Sequence, residues 1–185
     1  SEMCIRDSAE TLALTFHGNV QCYDEEDHLH RMILCKRAID GMRLLPEEQW
    51  DITVAGLPVY WVFPNVILMP FEVGVFLVRA YPVPGDPGRH ESQVDFYLRP
   101  HALEQMAENM GVDDLTEVAG NMATSFGDII RDEDYVMSES QQTAANAGSL
   151  PEIVFGRNEP ALHHYHQTFR RLLGEEPLPL VERVG

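Results

Sequence analysis

Basic residues are scarce in this 185-residue chain: 13 Lys and Arg stand against 30 Asp and Glu, a formal net charge of −17. So acidic a chain repels phosphate backbones and anionic bilayers, which excludes nucleic acid as a partner and argues against a membrane surface. Cysteine is sparse too. Cys4, Cys22 and Cys35 form no CxxC pair and fit no zinc ribbon, so they read as reduced thiols of a cytoplasmic protein. No apolar run reaches the ~20 residues that span a bilayer. The longest, VYWVFPNVILMPFEVGVFLV, is interrupted by Pro64, Asn65, Pro70 and Glu72 and reads as successive buried strands. There is no signal-peptide pattern, internal repeat, GxSxG elbow or glycine-rich phosphate loop.

What is present is globular. Hydrophobic residues make up 44% and charged residues 23%, enough for one ordinary domain with a real core. ETLALTFHGNVQCYD predicts a strand, and DEEDHLHRMILCKR an acidic turn followed by a second strand through Met32 and Leu34. AIDGMRLLPEEQWD predicts a short helix or turn ending near Pro46. VYWVF, VILMPF and GVFLVRAYPV are three further strands, and PGDPG is a turn. RHESQVDFYLRP places Val94, Phe96 and Leu98 at period two, a half-buried strand. Short connections predict an antiparallel meander.

After Pro100 the texture becomes helical through HALEQMAENMG, the long stretch to Gly148, and NEPALHHYHQTFRRLLGEE. In the last, Asn158 suits an N-cap, Pro160 the first turn and Gly174 the stop. Strands first and helices last predict an α+β domain.

The stretch RDEDYVMSESQQTAANAG packs Asp132, Glu133 and Asp134 together inside a helical pattern. On a wheel at roughly 100° per residue, Ile130 and Met137 fall within about 60° of Asp134, and Phe126 within about 80°. Asp132 points the other way, Glu133 sits on the flank, and Ile129 and Val136 form a second apolar pair on the far side. The wheel favours Asp134 as the inward acid and leaves Glu133 open. A buried carboxylate must be paired, hydrogen-bonded or metal-bound. An Asp paired with Arg or capped by backbone is the plain reading. The sharper one is a metal ligand.

Partners for a metal are few. His28 and His30 share a face if both lie on a strand, and two His plus one carboxylate is the facial triad of non-haem Fe(II) oxygenases. Beside four acids, the plain reading is a surface cluster. His163 and His166, at i, i+3 on the last helix, could hold a metal or form a polar face. A hydrolase built on either lacks any nucleophile motif.

YWVFPN, YPVPG, EDYVMSESQ and GRNEPALHHYH occur in an order that resembles the Rieske-type aromatic ring-hydroxylating oxygenases, in the C-terminal half of the large (alpha) subunit's catalytic domain. DHLHRMILCKRAID resembles the segment ahead of that family's FPN strand, and the likeness runs roughly from Glu10 to Gly174. It implies a helix-grip fold of the Bet v 1 or START kind, an antiparallel sheet wrapped around long C-terminal helices. The family's acidic pattern, E-D-x4-E-x2-Q, falls on Glu133, Asp134, Glu139 and Gln142, and implies Asp134 as the carboxylate ligand of mononuclear Fe(II), with Phe126, Ile130 and Met137 lining the adjacent substrate pocket or simply packing in the core. Ala144 stands where the family often has Gly. The resemblance places the two iron histidines as H-x4-H shortly before a Thr-Leu like Thr11-Leu12, with the second near Ser8, and so argues against His28 and His30 as ligands.

The resemblance also implies a [2Fe–2S] cluster in an upstream domain, electrons from NAD(P)H through a separate reductase or ferredoxin, and O2 with an apolar or aromatic substrate. A homotrimer or α3β3 assembly is the family expectation. SEMCIRDS does not open like a natural chain. The expectation is therefore a non-native start over residues 1–8 and a partial catalytic domain over residues 9–185, inactive alone, with the Rieske domain and the iron histidines lost upstream. The rival reading is a non-enzymatic helix-grip domain that binds an apolar ligand.

Overall fold

The computed structural model describes residues 16–149 and 152–180, apart from the side chains of residues 18–20 and Phe126. The proposed artefact over residues 1–8, with Thr11 and Leu12, lies outside the described residues.

The β-branched and aromatic runs form β1 (Phe16–Glu26), β2 (Leu29–Lys36), β3 (Gly56–Val62), β4 (Val66–Phe71), β5 (Gly74–Val83) and β6 (Asp86–Leu98). They pair in sequence order as one six-stranded antiparallel meander. Short helices α1 (Ile39–Met42) and α2 (Ile52–Ala55) fill the β2–β3 connection. Then come α3 (Pro100–Met110), α4 (Leu115–Ile129), a π-helical segment (Ile130–Tyr135), α5 (Val136–Asn146) and α6 (Pro160–Leu173). This is the expected α+β helix-grip arrangement.

Register decides which side chains share a face. Tyr23 lies opposite Met32, Glu25 opposite His30, and His30 opposite Trp61. Trp61 is opposite Ile67, Met69 opposite Phe76, and Phe76 opposite Phe96. These residues, with Leu57 and Phe71 in phase with them, form the inner face. Helices α4 and α6 cover it, and its centre is Phe76, 1% exposed. The outer face carries Cys22, Ile33 and Cys35, and further along a polar ladder in which Arg31 bonds Asp24 and lies 5.8 Å over the Tyr60 ring.

Pro64 cannot donate to a ladder, and the chain turns there through a cis Phe63–Pro64 bond. Asn65 clamps the turn, its Nδ2 donating to Ala80 O at 2.6 Å. At the next hairpin Gly74 faces Leu98, and a Cβ there would run into the Tyr97 carbonyl. Gly74→Ala is expected to destabilise the domain by about 2 kcal/mol, the cost of overpacking against backbone. Urea titration checks this, and an unchanged midpoint contradicts it.

Two local expectations are corrected. His28 is not on a strand: Glu26 pairs Leu29, so Asp27 and His28 form the two-residue turn, with Asp27 at φ 47°. His28 and His30 therefore do not alternate along one strand. At α6 the N-cap is Glu159, not Asn158, and the Glu159 carboxylate accepts from Gly156 N at 2.6 Å. Gly174 ends the helix in the left-handed conformation, φ 70°, as expected.

Candidate active site

The acidic stretch begins on the π-helical segment. Arg131 sits at its start and pairs backward with Asp128 at 2.8 Å and forward with Asp132 at 2.7 Å. That contact holds the exposed Asp132 carboxyl below its ordinary range. Asp134 is exposed and Glu133 half-buried, the reverse of the order the wheel favoured. A wheel gives relative angles only. The sheet selects which stripe faces inward, and the wide π-helical turn shifts the phase beyond it. Glu139 is exposed on α5, and Gln142 donates to Asn146 at 2.8 Å.

Between the inner face and α4 lies an apolar cavity of about 340 Å3. Leu57, Met69, Phe71, Phe76 and Phe96 come from the sheet, and Met122, Ser125 and Ile129 from α4. The last three recur at i, i+3 and i+7, one helical face. Ser125 and Ile129 are also solvent-exposed, so the cavity opens on the helix side. Ile130 and Met137 are half-buried and are not among its lining residues. The side chain of Phe126 lies outside the described residues.

A larger space, about 600 Å3, opens beside α6. Glu25, His163, His164, Gln167 and Arg171 line it, and those groups suit water better than an aromatic ring. At its inner end is a histidine pair that residue spacing did not reveal. His30 Nδ1 lies 2.9 Å from His164 Nδ1, and His164 Nε2 lies 3.1 Å from the Asp27 carbonyl. A carbonyl only accepts, so Nε2 of His164 carries a proton. With His164 neutral, its Nδ1 accepts and His30 Nδ1 donates.

Trp61 stacks on His30 with centroids 5.0 Å apart, Tyr165 packs on Trp61 at 4.9 Å, and Phe169 on Phe63 at 4.9 Å. Burial first, and then the neighbouring His164, push the His30 pKa down to about 4, against an opposing pull from Glu25. Burial also raises the Tyr165 phenol. This aromatic cluster docks α6 to the sheet. Arg171 adds a 3.1 Å bond to Asp27 Oδ1.

The other candidate histidines are engaged separately. His28 Nδ1 lies 2.6 Å from Asp27 Oδ2. His163 Nε2 donates to Gly156 O at 2.9 Å, and His166 stacks on Phe155 at 4.8 Å with its pKa lowered by burial. Among the described residues no group of three or more His, Cys, Asp or Glu is placed to hold a metal ion. Nor does a helix among them have the length and apolarity to cross a membrane.

One family model, described as ring hydroxylating alpha subunit (catalytic domain), matches residues 14–175. No curated protein and no solved structure matches the chain.

Proposed function

Because the chain belongs to the catalytic-domain family of ring-hydroxylating alpha subunits, we propose that its inner cavity is the substrate chamber of an oxygenase that hydroxylates, dihydroxylates or demethylates an aromatic or other apolar compound. The cavity between the sheet and α4 carries this reading. Its volume, about 340 Å3, lies within the range of roughly 300–1,000 Å3 for small-molecule sites, and its walls are almost wholly apolar. Phe71, Phe76 and Phe96 offer ring faces and edges to an aromatic guest. Ser125 is the one lining side chain with a strong hydrogen-bonding group, so it can orient a polar substituent at the mouth.

Asp134 is proposed as the carboxylate ligand of mononuclear Fe(II), which when bound supplies O2 activation. The described residues do not complete a ligand set around it. Asp134 is proposed as one donor, with the histidines placed by the resemblance ahead of Thr11-Leu12. Phe126, Ile130 and Met137 belong to the proposal as the apolar residues that helical spacing in the sequence groups with Asp134. The [2Fe–2S] cluster, a reductase or ferredoxin fed by NAD(P)H, and a trimeric assembly with or without a β subunit are proposed on family grounds. So is a cytoplasmic location.

Calorimetric titration with naphthalene tests the chamber. The chain is expected to bind it, and Met122→Trp, which fills the cavity from α4, to weaken binding by more than about 10-fold while circular dichroism stays unchanged. Equal binding by the folded variant sinks this chamber. The rival reading, a helix-grip domain that binds without chemistry, predicts the same titration but no iron requirement in the whole subunit.

A further inference from the structure

The outer face of the sheet holds a second cavity, of about 340 Å3, separated from the first by the sheet itself. Its floor is Cys22, Ile33, Cys35 and Gly56. Its roof is the β2–β3 connection, where Ile39 and Met42 of α1, Trp50, and Ile52 and Ala55 of α2 close over it. We propose that this outer cavity binds a small amphipathic monocarboxylate, its apolar tail between α1 and α2 and its carboxylate on Arg43.

The walls specify the tail. Apart from the two thiols, every floor and roof side chain named above is apolar or aromatic. Trp50 is held as a wall because its Nε1 donates to Leu45 O at 3.0 Å, although half of the residue remains exposed. The volume sits at the low end for small-molecule sites, which selects a short chain or single ring over a long lipid.

The rim specifies the head. Two charged residues stand there, Arg43 and Asp51. Asp51 is committed to the start of α2: its Oδ1 accepts from Thr53 N at 2.8 Å and Thr53 Oγ at 2.7 Å. These bonds hold its carboxyl below the ordinary range. Arg43 forms no ion pair with any described residue, in a chain whose formal net charge is −17. A guanidinium paired with no carboxylate of the described residues, at the mouth of an apolar cavity, matches an anionic head, and a carboxylate fits its planar fork.

The proposal does not depend on the inner chamber. Calorimetry with octanoate, octanol and octylamine on the full chain separates tail from head. Octanoate is expected to bind most tightly. Arg43→Gln should weaken octanoate about 10-fold or more, the scale of a charge-assisted hydrogen bond, and leave octanol unchanged. Trp50→Ala should weaken both, and Met122→Trp neither. Equal octanoate binding by Arg43→Gln, a preference for octylamine, or no octanoate binding overturns it. So does sedimentation showing that exposed Leu44, Leu45 and Trp50 pair two copies with octanoate shut out.

Discussion

Asp134→Ala is expected to strip mononuclear iron from the whole alpha subunit, with Fe(II) retention falling more than about 100-fold and turnover falling with it. Loss of an outer partner alone costs roughly 10–100-fold in metal affinity, and loss of a ligand costs more. Asp134→Asn should behave similarly, because it keeps the shape and loses the charge proposed to hold Fe(II). Asp132→Ala should retain iron, since Asp132 pairs with Arg131 at 2.7 Å on another side of the segment. Glu133→Ala is the discriminating control, because Glu133 is the more buried of the two adjacent acids. Metal analysis showing iron kept in Asp134→Ala and lost in Glu133→Ala would reassign the ligand. Iron kept in both would remove the acidic segment from the site.

The domain is expected to lose about 3 kcal/mol of stability between pH 7.5 and pH 4 through His30 alone. Its pKa is about 4 in the folded chain against an ordinary 6.5, and each unit is worth about 1.4 kcal/mol. Above pH 6.5 the imidazole is neutral in both states, and its contribution is fully present. Between 6.5 and 4 the unfolded chain takes a proton that the folded chain refuses, so stability falls as pH falls. Below pH 4 both states are protonated and the loss is complete.

Urea titrations at intervals across this window should show a steep slope in the parent and a shallower one in His30→Gln. That variant should also be less stable at pH 7.5, where the docking contact of α6 is lost. Equal slopes would mean that the histidine pair does not couple α6 to protonation. Some slope remains in the variant, because burial lowers the His166 pKa as well.

Much of the fold was legible because strand signals act locally. Val59, Trp61 and the apolar residues of β4 and β5 announce strands through β-propensity, and Pro64-Asn65 and PGDPG announce turns. Short connections left the meander as the simple pairing. Gly174 stops α6 because its missing Cβ permits φ 70°. The candidate site was less legible. His30 lies on the inner face opposite Trp61, and its partner His164 is 134 residues away, so no local spacing relates them. His28 falls in the hairpin turn rather than on the strand, and Asp27-His28 carries no glycine to mark that turn. The π-helical segment carries no Pro or Gly signature either.

Sequence by itself determined the element types, their order, the acidic character and the family pattern that singles out Asp134. It also set the relative angles within α4, with Met122, Ser125 and Ile129 on one stripe, and grouped Ile130, Asp134 and Met137 on another for a helix that keeps about 100° per residue. Only the tertiary structure decided which stripe meets the sheet, because periodicity sets spacing around an axis but not rotation of that axis. Packing against Phe76 and Phe96 selects the first stripe. Strand register likewise divided the apolar residues between two faces, which created an inner cavity under α4 and an outer one under α1 and α2. Those faces depend on the register between paired strands, which is set by hydrogen bonding across the sheet rather than within one window of neighbouring residues.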